Sequence, residues 1–228
     1  MMNIIQKKIQ VKIMYKKTMR YLLVFSFLVF VNTACQSESK QMDSVIEKLN
    51  KITEMEQTFF KAGEQIQELE IQELECYEKI FSFKVNEIDK RQATAKKAIS
   101  LLNERKGMIE EESKLIHKID IKIEELQTIN IETKNDEFRK DVNEFILTWK
   151  KRTNKYDQLN KKYKEAIKID LTIYNLLSQK KVELKNVKNK TKSTNVVYKD
   201  VIKINDQLNL YTQKLNNQRK DIYEKYGK

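Results

Sequence analysis

Residues 138–177 read FRKDVNEFILTWKKRTNKYDQLNKKYKEAIKIDLTIYNLL. Steps of four and three residues connect Phe138, Val142, Phe145, Trp149, Arg152, Tyr156, Leu159, Tyr163, Ala166, Asp170, Ile173 and Leu177. That is the heptad spacing of a helix that keeps one stripe against partner helices. The stripe carries more aromatic bulk than a two-stranded seam holds, so at least three helices are expected to pack together. Only Arg152 and Asp170 are polar in it. They lie ~27 Å apart along one helix and cannot meet, so each is expected to find a partner on another helix.

The same spacing extends outward in both directions. Upstream, Ala95, Ala98, Leu102, Arg105, Ile109, Glu112, Ile116, Ile119, Ile123 and Leu126 form a second heptad stripe with two polar members. Gly107 sits inside it and should cost roughly 1 kcal/mol relative to alanine. Downstream, Val197, Val201, Ile204, Leu208, Tyr211, Leu215 and Ile222 form a third, ending at Gly227. Polar turns are expected at 132–136 and 178–183, followed by a softer lysine- and asparagine-rich stretch to Thr194. Asn86 is a candidate cap for the helix that starts after the connection at 81–86. The N-terminal part is less regular. Val45, Leu49, Ile52 and Phe59 mark one segment. After Gly63 an acidic segment carries Ile66, Leu69, Leu74, Tyr77 and Ile80, and the two could be one bent helix or two.

Composition agrees with a helical chain. The 228 residues contain no proline and three glycines, too little turn chemistry for a sheet. The expected fold class is all-α: an elongated antiparallel bundle of three long heptad-patterned helices, spectrin-like in shape, with one or two shorter N-terminal helices. It would occupy residues 43–228 as a single domain.

A different element precedes it. Six cations (Lys7, Lys8, Lys12, Lys16, Lys17 and Arg20) lead into the apolar run Tyr21–Val31, then Asn32, Thr33, Ala34 and Cys35. No acid occurs before Glu38. This is the order of a secretory signal, and the run is short of the ~20 residues that span a bilayer. Translation could start at Met1 or at Met19. Ending at a cysteine, the segment resembles the lipobox of bacterial lipoproteins. The resemblance implies cleavage between Ala34 and Cys35 and lipid on the Cys35 sulfur. Asn32 departs from it, standing where an aliphatic residue is usual. Residues 1–34 would be the signal peptide and 35–42 a polar tether. The mature chain would sit on the extracellular face of the cell membrane, held by that lipid.

Removing the signal changes the charge. The whole chain is +12, with 45 basic and 33 acidic residues. Six cations leave with residues 1–34, so the remainder has 39 against 33, or +6. That charge is polarised: 15 basic against 21 acidic residues over 35–133, and 24 against 12 over 134–228. A basic half on an exported protein suits an anionic cell-wall polymer or lipid headgroups, and export argues against nucleic acid. Lys151, Lys155 and Lys162 lie close to one helix face, and Lys181, Lys185, Lys188 and Lys192 form a second row. These seven are the candidate polyanion-binding residues, although any lysine-rich helix has such rows.

Catalytic chemistry is not visible. The lone histidine, His117, has no cluster of metal-ligand type around it. Cys76 has no pairing partner once Cys35 is lipidated, and reads as a small packed residue. Glu110, Glu111, Glu112, Asp120 and Glu124 read as solvated carboxylates, because a narrow bundle offers no cleft between them. No metal or cofactor is implied, and no enzyme.

The layout as a whole resembles the YkyA family of lipoproteins from low-GC Gram-positive bacteria. The features that carry the likeness are the lipobox cysteine, the acidic run Glu73-Leu74-Glu75-Cys76-Tyr77-Glu78-Lys79-Ile80, and Asp89-Lys90-Arg91 with Glu110–Ser113. The tyrosine-punctuated helix with Arg152, Tyr156, Tyr163, Leu171 and Tyr174 and the terminal Tyr223-Glu224-Lys225-Tyr226 complete it. The resemblance implies a helical extended fold, a cell-envelope location and a role in wall binding; of individual residues it carries over only Cys35. The alternative is a helical scaffold that binds another envelope protein through an apolar face left uncovered by the bundle.

Overall fold

The computed structural model describes residues 38–227. The expected signal peptide, the Ala34/Cys35 cleavage site and the lipidation site at Cys35 lie outside them. Four helices of similar length make up the structure: α1 Glu38–Ser82, α2 Ile88–Glu132, α3 Asp136–Leu177 and α4 Leu184–Tyr226. At 1.5 Å per residue each is about 65 Å long. Connections of three to six residues force successive helices antiparallel. α2 packs closely on α1, α3 on α2, and α4 on α3, whereas α1 and α4 approach each other only sparsely.

The architecture is therefore all-α and elongated, but it has four long helices rather than three with shorter N-terminal ones. α1 is unbroken through Gly63. The reason lies in its seam. Val45, Leu49, Ile52, Glu56, Phe59, Gly63, Ile66, Glu70, Glu73, Tyr77 and Ile80 keep the four-three spacing without a slip. Three acids and a glycine occupy core positions, so the apolar pattern alone looks interrupted. The helix also begins at Glu38, within the expected tether. Helix-tolerant Lys, Gln, Met and Glu residues there offer nothing that would stop it.

α4 corrects the expectation in the same way. It starts at Leu184, so most of the softer stretch is helical. Its buried line runs Val187, Thr191, Thr194, Tyr198, Val201, Asn205, Leu208, Thr212, Leu215 and Ile222, while Ile204 and Tyr211 sit half-buried beside it. In α2 and α3 the expected stripes are buried, apart from the half-buried Glu112 and Leu159.

The turns follow local chemistry. Asn135 accepts a hydrogen bond from the Phe138 amide at 2.9 Å and caps α3. Glu87, not Asn86, precedes α2, and it makes no side-chain cap. Arg91 ties the two connections of the far end together, donating to the carbonyls of Leu177, Gln179 and Lys180. Among the described residues no helix is long and apolar enough to cross a membrane.

Two substitutions test this account. A Cβ at Gly107 would meet nothing within 4 Å. Gly107→Ala should therefore raise stability by about 1 kcal/mol, seen as a higher denaturant midpoint at unchanged slope. Asn135→Ala should lower stability by about 1 kcal/mol. A neutral Gly107→Ala would mean that α2 is not a regular helix there.

Candidate functional site

The polar seam residues meet at matching heights and form two charged layers inside the rod. In the layer nearer the N-terminal end, Arg152 on α3 is buried. Its Nη1 donates to Glu56 Oε1 at 3.0 Å and its Nε to Thr212 Oγ1 at 3.1 Å. Arg219 on α4 donates to the other oxygen of Glu56. The Arg152 guanidinium also stacks over Trp149, 4.9 Å from the ring centre. Burial and the nearby Arg219 pull its pKa down, while Glu56 opposes them. Three helices are thus joined through one carboxylate. Just outside this layer, Trp149 donates to Asp120 at 2.7 Å and Thr153 to the same oxygen at 3.1 Å.

The far layer is built from Asp170, Arg105, Glu70 and Glu73. Asp170 accepts from Tyr198 at 2.7 Å and from Thr194 at 3.2 Å, both on α4. Arg105 on α2 lies 3.6 Å from Glu73 and 3.7 Å from Glu70 on α1, within ion-pair range but too far for ordinary hydrogen bonds. Its guanidinium also faces the Tyr163 ring at 5.3 Å. Burial alone would lower the Arg105 pKa. Tyr198, Glu70, Glu73 and Asp170 together outweigh it, and the pKa is raised. Tyr174 donates to Glu73, and burial holds its own proton firmly. Arg152 and Asp170 each find partners on other helices, as their separation requires.

Between the layers the packing thins. A large apolar core fills the far half and another the N-terminal half. Between them Phe59, Ile116, Tyr156 and Leu208 form a small buried apolar cluster of their own. Beside that cluster lies a pocket of about 90 Å³ with walls from all four helices, including Phe60, Gly63, Glu112, Asn160, Asn205 and Leu208. Tyr156 donates to Glu112 at 2.9 Å. Burial raises the Glu112 carboxyl to about 7, although Tyr156 and Arg152 pull the other way.

The reading of the helical carboxylates as uniformly solvated needs revision here. Glu110, Glu111 and Glu124 are exposed, but Glu112 and Asp120 are half-buried. Those two are drawn inward by Tyr156 and by Trp149 with Thr153. His117 is largely exposed, 3.5 Å from Asp120. Cys76 is buried, and burial raises its thiol pKa. Among the described residues no group of three or more His, Cys, Asp and Glu side chains could hold a metal ion.

The candidate lysines do not form one surface. Lys151 is exposed on α3, and Lys185, Lys188 and Lys192 are exposed on α4. Lys155 is half-buried and donates to Gln158. Lys162 is held by Glu165 at 3.1 Å and Asp200 at 3.3 Å. Lys181 is exposed but lies in the α3–α4 connection, so only three members of its row share a helix. Three acids of α1 turn inward instead: Glu56, Glu70 and Glu73 pair with the interior arginines.

Glu112 yields a pH prediction. Between about pH 4.5 and 7 the folded chain keeps a proton that the unfolded chain has released. Stability from this group is therefore greatest below that window, falls as pH rises through it, and stays reduced above. Glu112→Gln should remove the dependence. The variant should gain up to about 3 kcal/mol over the parent above pH 7 and little below pH 4.5. Urea denaturation at several pH values measures this, and parallel profiles for the two chains would contradict it.

Comparison with known proteins agrees with the geometry. A crystal structure of a conserved protein of unknown function from Staphylococcus aureus superposes with a TM-score of 0.71 at 21% identity, covering 85% of this chain and 97% of that one. The two share the fold. The "Uncharacterized lipoprotein YkyA" of Bacillus subtilis (strain 168) is 23% identical over 203 residues, 89% of this chain and 91% of that protein. The YkyA family, described as "Putative cell-wall binding lipoprotein", matches residues 40–225. The chain belongs to the YkyA lipoprotein family.

Proposed function

We propose that this protein is a membrane-tethered, non-enzymatic surface lipoprotein that holds anionic cell-wall polymer through exposed lysines of α3 and α4. The observation that carries the reading is the fate of the charges. The seam acids of α1 are spent on interior arginines, while Lys151, Lys185, Lys188 and Lys192 keep their exposure. Rows of exposed ammonium groups attract a polyanion at long range without a shaped site. The family description supports the same reading. The interior carboxylates and tyrosines are tied to one another as packing pairs, which favours a binding role over catalysis. Lipid on Cys35 would anchor the rod, and α1 begins three residues later at Glu38. The bundle would therefore stand close to the membrane.

A scaffold for another envelope protein is less well supported. The large exposed apolar side chains Val85, Ile121, Ile131, Leu147, Leu184, Val196 and Leu210 are spread over a connection and three helices. Singly exposed apolar residues are ordinary on a protein surface.

Two measurements test the proposal. Purified residues 36–228 should sediment with wall fragments at about 50 mM salt and be released at about 500 mM, where screening shortens the reach of surface charge. Changing Lys151, Lys185, Lys188 and Lys192 to Glu should abolish sedimentation and leave thermal melting unchanged. Equal recovery with and without wall would overturn the binding role. Mass spectrometry of the native protein should find a lipidated N-terminal Cys35, and Cys35→Ala should leave the protein unlipidated.

A further inference from the structure

The pocket between the two charged layers has a cause in the sequence. Gly63 occupies a core position of the α1 seam, where every other turn places a side chain. A Cβ there would come no closer than 3.8 Å to its nearest neighbour, Glu112 Oε1, so the space is real and not filled by backbone. α4 contributes Asn205, short and polar, to the same wall. A volume of about 90 Å³ exceeds the 10–15 Å³ or so that one water needs several times over. It reaches solvent, because the exposed Glu64 forms part of its wall.

Two amides line this space, each with one buried polar atom that has no partner. Asn205 is 2% exposed and its Nδ2 has no partner. Asn160 is 8% exposed and its Oδ1 has none. Burying such groups unpaired costs on the order of 1–3 kcal/mol each. One is a donor and the other an acceptor. The remaining wall is largely hydrocarbon and aromatic, from Phe59, Phe60, Ile66, Ile109 and Leu208.

We propose that this pocket binds a small uncharged amphiphile, with an apolar body against the aromatic wall and a hydroxyl or primary amide head between Asn160 and Asn205. Such a head accepts from Asn205 Nδ2 and donates to Asn160 Oδ1 at once. A carboxylate head has no proton to donate to Asn160 Oδ1, and the cation in the wall, Arg152, is already paired with Glu56. A headless hydrocarbon would leave both amides unsatisfied. The site contains none of the exposed lysines, and its occupancy does not depend on wall binding.

The test uses residues 36–228, which contain all four helices, with benzyl alcohol and hexan-1-ol as probes and toluene and benzoate as controls. Amide NMR titration should show saturable shifts centred on Gly63, Asn160, Asn205 and Leu208 with either alcohol. Binding should be at least tenfold weaker for toluene and absent for benzoate. Asn205→Leu should lose the preference for alcohol over toluene. Gly63→Leu, which fills the space, should abolish binding while raising the melting temperature. The proposal is overturned if neither alcohol shifts these resonances, if the shifts scatter over the surface, or if Asn205→Leu keeps the full preference. The titration of the unmodified chain decides the matter even if a variant fails to fold.

Discussion

Glu56 is the carboxylate on which the arrangement of the bundle depends. One of its oxygens is held by Arg152 of α3 and the other by Arg219 of α4, while its own helix is α1. A buried carboxylate or guanidinium left alone costs several kcal/mol. Sliding α1 by one turn against α3 would separate the pair and leave both charges without partners. Apolar seams tolerate such slips, because a leucine one turn along is still a leucine. The charged layer does not. The far layer repeats the device with Arg105 between Glu70 and Glu73, and with Asp170 against Tyr198 and Thr194. Two layers at different heights leave one alignment of four helices about 65 Å long.

The same layers explain the distribution of charge outside. Three seam acids of the acidic N-terminal half, Glu56, Glu70 and Glu73, meet guanidinium groups in the interior and are withdrawn from the surface. They also bound the thinly packed middle of the rod. The nearer layer ends one apolar core and the far layer runs through the other, while Gly63, Asn160 and Asn205 line the pocket beside the short apolar cluster between the cores. Specific alignment and a central pocket thus arise from one pattern of polar seam positions.

Much of this was legible in the chain. The α2 and α3 stripes were readable position by position, and the separation of Arg152 from Asp170 already required partners elsewhere. α1 was harder because Glu56, Gly63, Glu70 and Glu73 stand at its seam. A reading that counts only apolar residues splits it into two segments, although the four-three spacing never slips. α4 hid its start for the same reason, with Thr191, Thr194, Asn205 and Thr212 in core positions. The lysine rows were visible as spacing, but the pairing of Lys162 with Asp200 depends on how the last two helices meet. The pocket depends on which layers face one another across four helices, and no single helix encodes that. By sequence Glu112 fits both the seam and a solvated cluster. Tyr156, 44 positions away, decides between them.

The claim that buried charge fixes the alignment of the helices is tested most directly by a double-mutant cycle on Glu56→Gln and Arg152→Met, read by urea denaturation. Each single change should cost several kcal/mol, because it strands the other charge. The double variant should cost less than their sum, with a coupling of about 1–3 kcal/mol. Costs that add to within about 0.5 kcal/mol would show that the two residues act independently, and would contradict the account.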